Sequence, residues 1–323
     1  MHACSSMSHN KLVIITGPTA SGKSALALAL GPEFKAEIVN VDSALIYKHL
    51  NIGTAKPSLA ELNTVPHHLI DILEPDIPFS AGQFCVRAKE AIQAIEARAH
   101  LPFLVGGTML YLKALLYGLS ELPTASPTVR EAILAEAQKR GWAALHERLK
   151  EIDPKAAERI HVNDPQRLQR ALEIYYLTGQ AQSDWFSEPK KGLAQHSHQI
   201  LTLAIAPQDR AILHERIAER FDTMLQKGFV EEVATLKQNP ALHANLPAMR
   251  AVGYRQVWHY LEGECDYTTM RDKAIIATRQ LAKRQLTWLR SWPEVQWFDP
   301  TQDNFLSEIK QCIHSFLAAH PPK

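Results

Sequence analysis

The chain has 323 residues, and its 35 Lys plus Arg against 34 Asp plus Glu leave a net charge of +1. A sum so near zero excludes a uniformly basic polyanion binder, though not a local basic face. With 46% hydrophobic and 21% charged residues, the composition is globular and the length suits one large domain or a core with an insertion.

Met1 to Asn10 lacks the apolar stretch of a secretory signal. No apolar run approaches the ~18 residues that span a bilayer. A cytoplasmic protein with no membrane partner is expected. Leu12-Val13-Ile14-Ile15 reads as a short buried strand. A glycine-rich loop follows, and Ala25 to Leu30 then favours helix. A second strand is expected over Ala36–Val41, ending at Asp42-Ser43. Phe103-Leu104-Val105 is a third, ending at Gly106-Gly107-Thr108, with a helix from Met109 to Leu116. Strands alternating with helices predict a parallel α/β sheet, with functional loops at the C-terminal strand ends.

The pattern changes near Leu122. Ser126-Pro127, Asp153-Pro154 and Asp164-Pro165 each pair an N-cap residue with proline at the first helical position. The last of these helices should stop at Thr178-Gly179. Residues 122–190 are therefore expected to be an all-helical insertion between core segments 1–121 and 191–323. Gln199 to Ile205 restores a strand pattern. Helices are expected from Asp209 onward, the last an amphipathic one over Phe305–Leu317.

Gly17-Pro18-Thr19-Ala20-Ser21-Gly22-Lys23-Ser24 fits G-x-x-x-x-G-K-[ST], a phosphate-binding loop between strand and helix. Its glycines let backbone N–H groups converge on one anion, and the helix adds its positive end. Lys23 supplies a point charge, and the Ser24 hydroxyl suits Mg²⁺. Asp42 follows Lys23 by 19 residues at the next strand end. It could hold Mg²⁺ through water, act as a general base, or simply cap a following helix.

Gln166, Arg170 and Glu173 share one helix face beside Arg167, opposite Leu168, Ala171, Leu172 and Tyr175. Between Arg271 and Arg290 six basic residues face one acid, a local charge of +5, with Trp288 among them. Basic side chains with a stacking aromatic suit RNA, although a solvated helix face is the commoner meaning of such a run. Cys4, Cys85, Cys265 and Cys312 are scattered without a C-x-x-C pair, and the histidines contain no H-E-x-x-H. Free thiols are expected rather than disulfides or a zinc site.

Together GPTASGKS (17–24), VDSALIYKHLNIGTAKP (41–57), PHHLID (66–71), LVGGTMLYLKALLYGL (104–119), HVNDPQRLQRALEIYYLTG (161–179), MRAVGYRQ (249–256) and TRQLAKRQLTWLR (278–290) closely resemble the bacterial tRNA dimethylallyltransferase family. The resemblance implies a P-loop NTPase-like core, helices on both sheet faces, and a helical insertion. It implies transfer of a dimethylallyl group from dimethylallyl diphosphate to N6 of the adenosine 3′ of the anticodon, with Mg²⁺ as cofactor. The anticodon stem-loop of tRNA would be the partner, and a monomer is expected. Gly17 to Ser24 would hold the donor diphosphate. Asp42 would be the general base, with Lys23, Thr108 and one of Arg216 and Arg220 also catalytic. RNA contacts carry over to Asp42, Ser43, Ala44, Leu45, Thr108, Arg130, Gln166, Arg167, Leu168, Gln169 and Arg170. They carry over also to Arg250, Gly253, Tyr254, Arg255 and the 280–287 helix, with Gln280, Lys283 and Arg284. Three alternatives stay open: a small-molecule kinase, a prenyltransferase acting on free AMP, and a non-catalytic RNA-binding protein.

Overall fold

The computed structural model describes residues 10–120, 122–186, 192–193 and 198–319. Cys4, the first nine residues and the boundary expected at 190 lie outside the described residues. Six parallel strands form one sheet: β1 (Lys11–Thr16), β2 (Ala36–Val41), β3 (His67–His68), β4 (Leu101–Gly106), β5 (Gln199–Ile205) and β6 (Val295–Phe298). Their spatial order is β3-β2-β4-β1-β5-β6. An all-parallel sheet needs a crossover between neighbouring strands, and such sheets are covered on both faces. This explains the unbroken burial of β1 and β2.

The crossovers of the core include α1 (Lys23–Leu30), α2 (Leu59–Thr64), α3 (Ala81–Ala97) and α4 (Met109–Tyr117). After β5 come α8 (Arg210–Gln226), α9 (Phe229–Lys237), α10 (Tyr254–Leu261) and α11 (Tyr267–Arg290), and after β6 comes α12 (Phe305–Ala318). Period-two alternation sends Val13 and Ile15 of β1 into one layer with Leu26, Ala27 and Leu30 of α1 and Ile309 and Ile313 of α12. A second cluster gathers Ile217 and Phe221 of α8, Phe229 and Val233 of α9, Tyr254 and Val257 of α10 and Ala282 and Leu286 of α11 around Ile46, Tyr47 and Leu50.

Lys11 is buried, yet it opens the first strand. Its Nζ donates to the carbonyls of Phe316, Leu317 and Ala319 at 3.0, 2.9 and 2.6 Å. These are terminal carbonyls that α12 cannot satisfy internally, and a cation there also complements the helix dipole. Glu37, 2% exposed on β2, is similarly answered. It accepts from Arg98 at 2.8 and 2.7 Å, and lies 2.7 Å from both His68 Nε2 and His100 Nδ1.

Residues 117–192 form a separate compact unit, and residues 1–116 with 193–323 form the other. The small unit holds α5 (Pro127–Ile152), α6 (Pro154–Arg159) and α7 (Pro165–Thr178). Ser126, Asp153 and Asp164 accept from Val129, Ala156 and Arg167 N–H, so all three proline-marked starts are genuine caps. Gly141 (φ 79°) breaks α5 into two segments, and Gly179 (φ 72°) ends α7 in the left-handed conformation. The apolar centre is Ile133, Leu145, Leu149, Leu168 and Leu172. Among the described residues Cys85, Cys265 and Cys312 are free thiols, and no helix is long and apolar enough to cross a membrane.

Candidate active site

Register brings three chemistry-bearing loops to one sheet end. Thr16 pairs with Gly106 and with Ala204, and Val41 pairs with Gly106. The residues that follow are the phosphate-binding loop, Asp42 and Gly107. Glycine is required at the junctions. A Cβ on Gly106 would fall 2.1 Å from the carbonyl oxygen of Val41, and one on Gly17 would fall 2.2 Å from that of Ile205.

Gly17 (φ 149°), Ala20 (φ 63°) and Gly22 (φ 95°) curl the loop into the first turn of α1. Lys23 starts that helix and donates a 2.7 Å bond back to Pro18 O. Burial pushes its ammonium down to about 7; Arg220 adds to the fall and Asp42 opposes it. Ser24 is exposed on the first turn, and Ser21 is buried with a hydroxyl that has no hydrogen-bond partner among the described groups.

Asp42 ends β2 in a turn, not a helix: its Oδ1 accepts from Ala44 N (2.8 Å) and Leu45 N (3.4 Å), and α2 begins only at Leu59. This local bond replaces the helix-cap alternative. Thr108 N donates to Val41 O at 3.1 Å, and Thr108 Oγ1 accepts from Ser43 N at 3.0 Å. Thr108 thus clamps the two strand ends around the Asp42 carboxylate.

A cavity of about 530 Å³ opens beside these groups. Its lining includes the polar Thr19, Asp42, Ser43, Thr108 and Arg220 together with Tyr47, Phe79, Tyr111, Ile217, Phe221 and Leu281. Arg220 donates to Thr54 O at 3.4 Å. Its guanidinium is held below its usual value by burial, which Asp42 partly offsets. Arg216, one turn earlier on α8, does not line this cavity; its field acts on Asp299. The hydroxyls of Tyr111 and Tyr47 are pushed up by burial, so both stay neutral in the wall.

Two side chains absent from the expectations complete the frame. Gln285, buried on α11, accepts from Thr19 N at 2.8 Å and donates to Gly107 O at 2.9 Å. Glu232 of α9 accepts from Asn51 N (3.0 Å), Ile52 N (2.8 Å) and the Tyr254 hydroxyl (2.6 Å). The first falls inside the 280–287 stretch, but its buried inward face was not readable there. The second gave no signal, since 180 residues separate it from the loop it holds.

The positions at which the resemblance implies RNA contacts divide. Arg250 and Arg284 line the cavity and are exposed at its rim, and Ala44 and Gly253 line it too. Lys283 is exposed on α11, whereas Arg255 and Gln280 line a separate depression with His259 and Lys273. Tyr254 lines the cavity as well, with its side chain buried, bonded to Glu232 and set edge-on to Phe229 at 4.9 Å. In the small unit Gln166 and Arg167 are exposed, but Leu168 is 0% exposed in the apolar core, so it offers no side chain to a partner. Arg130 and Arg170 both bind Glu173, itself wholly buried. Arg130 Nε reaches Oε1 at 2.9 Å and Arg170 Nη1 reaches Oε2 at 2.7 Å. Gln169 donates to Arg130 O at 3.1 Å.

Residues 45–292 match the family model described as IPP transferase. A tRNA dimethylallyltransferase of Stenotrophomonas maltophilia is 54% identical over 311 residues, covering 95% of this chain and 97% of the relative. The solved tRNA isopentenylpyrophosphate transferase of Bacillus halodurans is 35% identical, with a TM-score of 0.70 over 95% of this chain and 97% of that one. A eukaryotic dimethylallyltransferase, solved in the course of acting on tRNA, superposes with a TM-score of 0.80 at 26% identity, over 97% of this chain and 81% of that one. A P-loop on a parallel sheet, the Asp42 turn and a cavity beside both are thus accompanied by likeness along nearly the whole chain, and the chain belongs to the IPP transferase family.

Proposed function

We propose that the protein is a tRNA dimethylallyltransferase, moving a dimethylallyl group from dimethylallyl diphosphate to N6 of the adenosine 3′ of the anticodon. One observation carries this reading: a single cavity joins Thr19 of the P-loop, Asp42 and Arg220 to a wall of Tyr47, Phe79, Tyr111, Ile217 and Phe221. A kinase acceptor site would need polar partners for a hydroxylated substrate. An aromatic and aliphatic wall suits a hydrocarbon chain beside its diphosphate.

The loop amides, Lys23 and Arg220 bind and orient the diphosphate. As the allylic C–O bond breaks, the electron pair leaves with the diphosphate, and these fixed donors stabilise the growing charge. The adenine N6 forms the new C–N bond and loses one proton. Asp42, in the cavity lining, takes that proton, held by the N–H groups of Ala44 and Leu45 through Oδ1. The target base must leave its stack to enter the cavity, at a cost of about a few kcal/mol. The exposed basic residues Arg250, Lys283 and Arg284 supply charge for the RNA backbone.

The residues fit Mg²⁺ as cofactor: the exposed Ser24 hydroxyl and the Asp42 carboxylate, whose described hydrogen bonds both use Oδ1, are hard oxygen donors. When bound, Mg²⁺ would add positive charge against the leaving diphosphate.

The test is a transfer assay with the full chain, Mg²⁺, dimethylallyl diphosphate and unmodified tRNA, followed by nucleoside mass analysis. The expected product is an adenosine heavier by one C5H8 unit from tRNA and none from AMP in parallel. Product from AMP alone would move the acceptor to free nucleotides. Phosphate transfer from a nucleoside triphosphate without prenylation would establish the kinase alternative.

A further inference from the structure

Three loops must hold still relative to one another for an in-line displacement, and each comes from a different strand end. Two side chains, Gln285 and Thr108, link them by hydrogen bonds. Gln285 Oε1 takes the Thr19 N–H at 2.8 Å, and Gln285 Nε2 gives to Gly107 O at 2.9 Å. Next along the chain, Thr108 Oγ1 takes the Ser43 N–H at 3.0 Å, beside Asp42. The path therefore passes from the phosphate loop, through Gln285, to the β4 loop and on to the turn that carries the base.

Gln285 fits this place closely. It is 8% exposed in a helix whose adjacent residues Lys283 and Arg284 are exposed. Its amide uses one acceptor and one donor on separate atoms, a pairing that a carboxylate or an apolar side chain of the same length does not provide. A Cβ on Gly107 would fall 2.4 Å from Gln285 Nε2 and 3.2 Å from Gly17 O. Glycine at 107 is thus what lets the Gln285 amide lie against the strand end.

We propose that Gln285, which lines the same cavity, is a positioning residue that fixes the distance between the diphosphate cradle and Asp42, acting through Thr19 and Gly107. The proposal rests on the prenyl-transfer reading for its rate effect, but the effect on anion binding stands apart from it. Because Gln285 lies one residue from Arg284, α11 carries both a charged rim and the buried brace of the donor loop.

The experiment compares wild type with Gln285→Met and Gln285→Glu. Methionine keeps length and volume and removes both hydrogen bonds. Glutamate keeps the acceptor for Thr19 N–H and loses the donor to Gly107 O. Three quantities are read: kcat and donor KM in tRNA prenylation, tRNA affinity, and inorganic diphosphate binding with Mg²⁺ by calorimetry. Expected for Gln285→Met is kcat lower by about 10–100-fold, the scale of a loop misplaced by about 1 Å. Diphosphate binding weakens about tenfold, while tRNA affinity stays within about twofold and the melting temperature is nearly unchanged. Gln285→Glu should lose kcat similarly. Gly107→Ala should reproduce the loss in the wild-type background and add less to Gln285→Ala, where the 2.4 Å clash with the amide is gone and only the 3.2 Å approach to Gly17 O remains. Wild-type kcat and diphosphate binding in Gln285→Met would overturn the proposal. So would equal losses of tRNA and diphosphate affinity with a lowered melting temperature, which describe a core residue only. If wild type itself makes no prenylated product, the functional reading fails while the diphosphate titration still decides on Gln285.

Discussion

Lys23 Nζ donates to Pro18 O at 2.7 Å, five residues back in the same loop. The ammonium is thus satisfied within the loop itself, where burial pushes it down to about 7. A diphosphate would favour its charged form and raise it again. At pH 8 binding should therefore take up roughly one proton at this residue, and at pH 6 much less, a difference read by calorimetry in buffers of different ionisation enthalpy. Lys23→Met should remove that uptake and weaken diphosphate binding. The same depression makes the folded state release this proton before the unfolded chain does. Between about 7 and the usual lysine value of 10.5, the residue's contribution to stability therefore rises with pH.

Asp42→Asn should keep the Oδ1 acceptor for Ala44 and Leu45 N–H and so keep the turn. It removes the proton acceptor. The expected result is kcat lower by ~10²–10⁴-fold with tRNA affinity preserved, measured by single-turnover transfer and filter binding. Undiminished turnover would remove Asp42 from the base role.

Arg220 lines the cavity and Arg216 does not. Arg220→Ala should weaken donor binding by about tenfold or more, the scale of a lost charged hydrogen bond. Arg216→Ala should leave donor KM within about twofold. Reversal of that order would reassign the diphosphate arginine.

Glu37 is pulled to about 2, first by hydrogen bonds from Arg98, against the cost of burial, with further help from His68 and His100. Its contribution to stability is complete above the unfolded value of 4.5 and is lost as pH falls toward 2. Glu37→Gln should lower the melting temperature at pH 7 and flatten its dependence over that acid range. A parallel, unflattened profile would show that Glu37 is not the group responsible.

Removing the exposed charges of Arg167, Lys283 and Arg284 should weaken tRNA binding and reduce the slope of log K against log salt by about 0.7–0.9 per phosphate contact. An unchanged slope would place these residues away from the RNA. Arg130 and Arg170 are unsuited to this test, because their loss leaves Glu173 charged and buried, which destabilises the small unit by on the order of 3 kcal/mol.

The phosphate loop, its flanking strand and helix, and the three capped starts of the small unit were legible because each is local: a motif or a cap needs only its neighbours. β3 and β6, two and four residues long, were not, since short edge strands exist through pairing rather than pattern. The roles of Glu173 and Arg130 were hidden for a related reason. Helical spacing places Glu173 on the Gln166–Arg170 face as though exposed, yet α5 packs against α7 and closes over it. Gln285 and Glu232 bond backbone groups 178 to 266 residues away in sequence, so only the folded register reveals them.

Lys11 opens the strand that leads into the phosphate loop, but its ammonium is answered by carbonyls 305 to 308 residues later. On a ribosome adding ~5–20 residues per second, that wait is roughly 15–60 s. During it Lys11 lacks these carbonyls, and for the earlier part of it β1 also lacks β5, its neighbour on one side. The strand that leads into the phosphate loop is thus encoded early, and its buried lysine is answered only when α12 has been made.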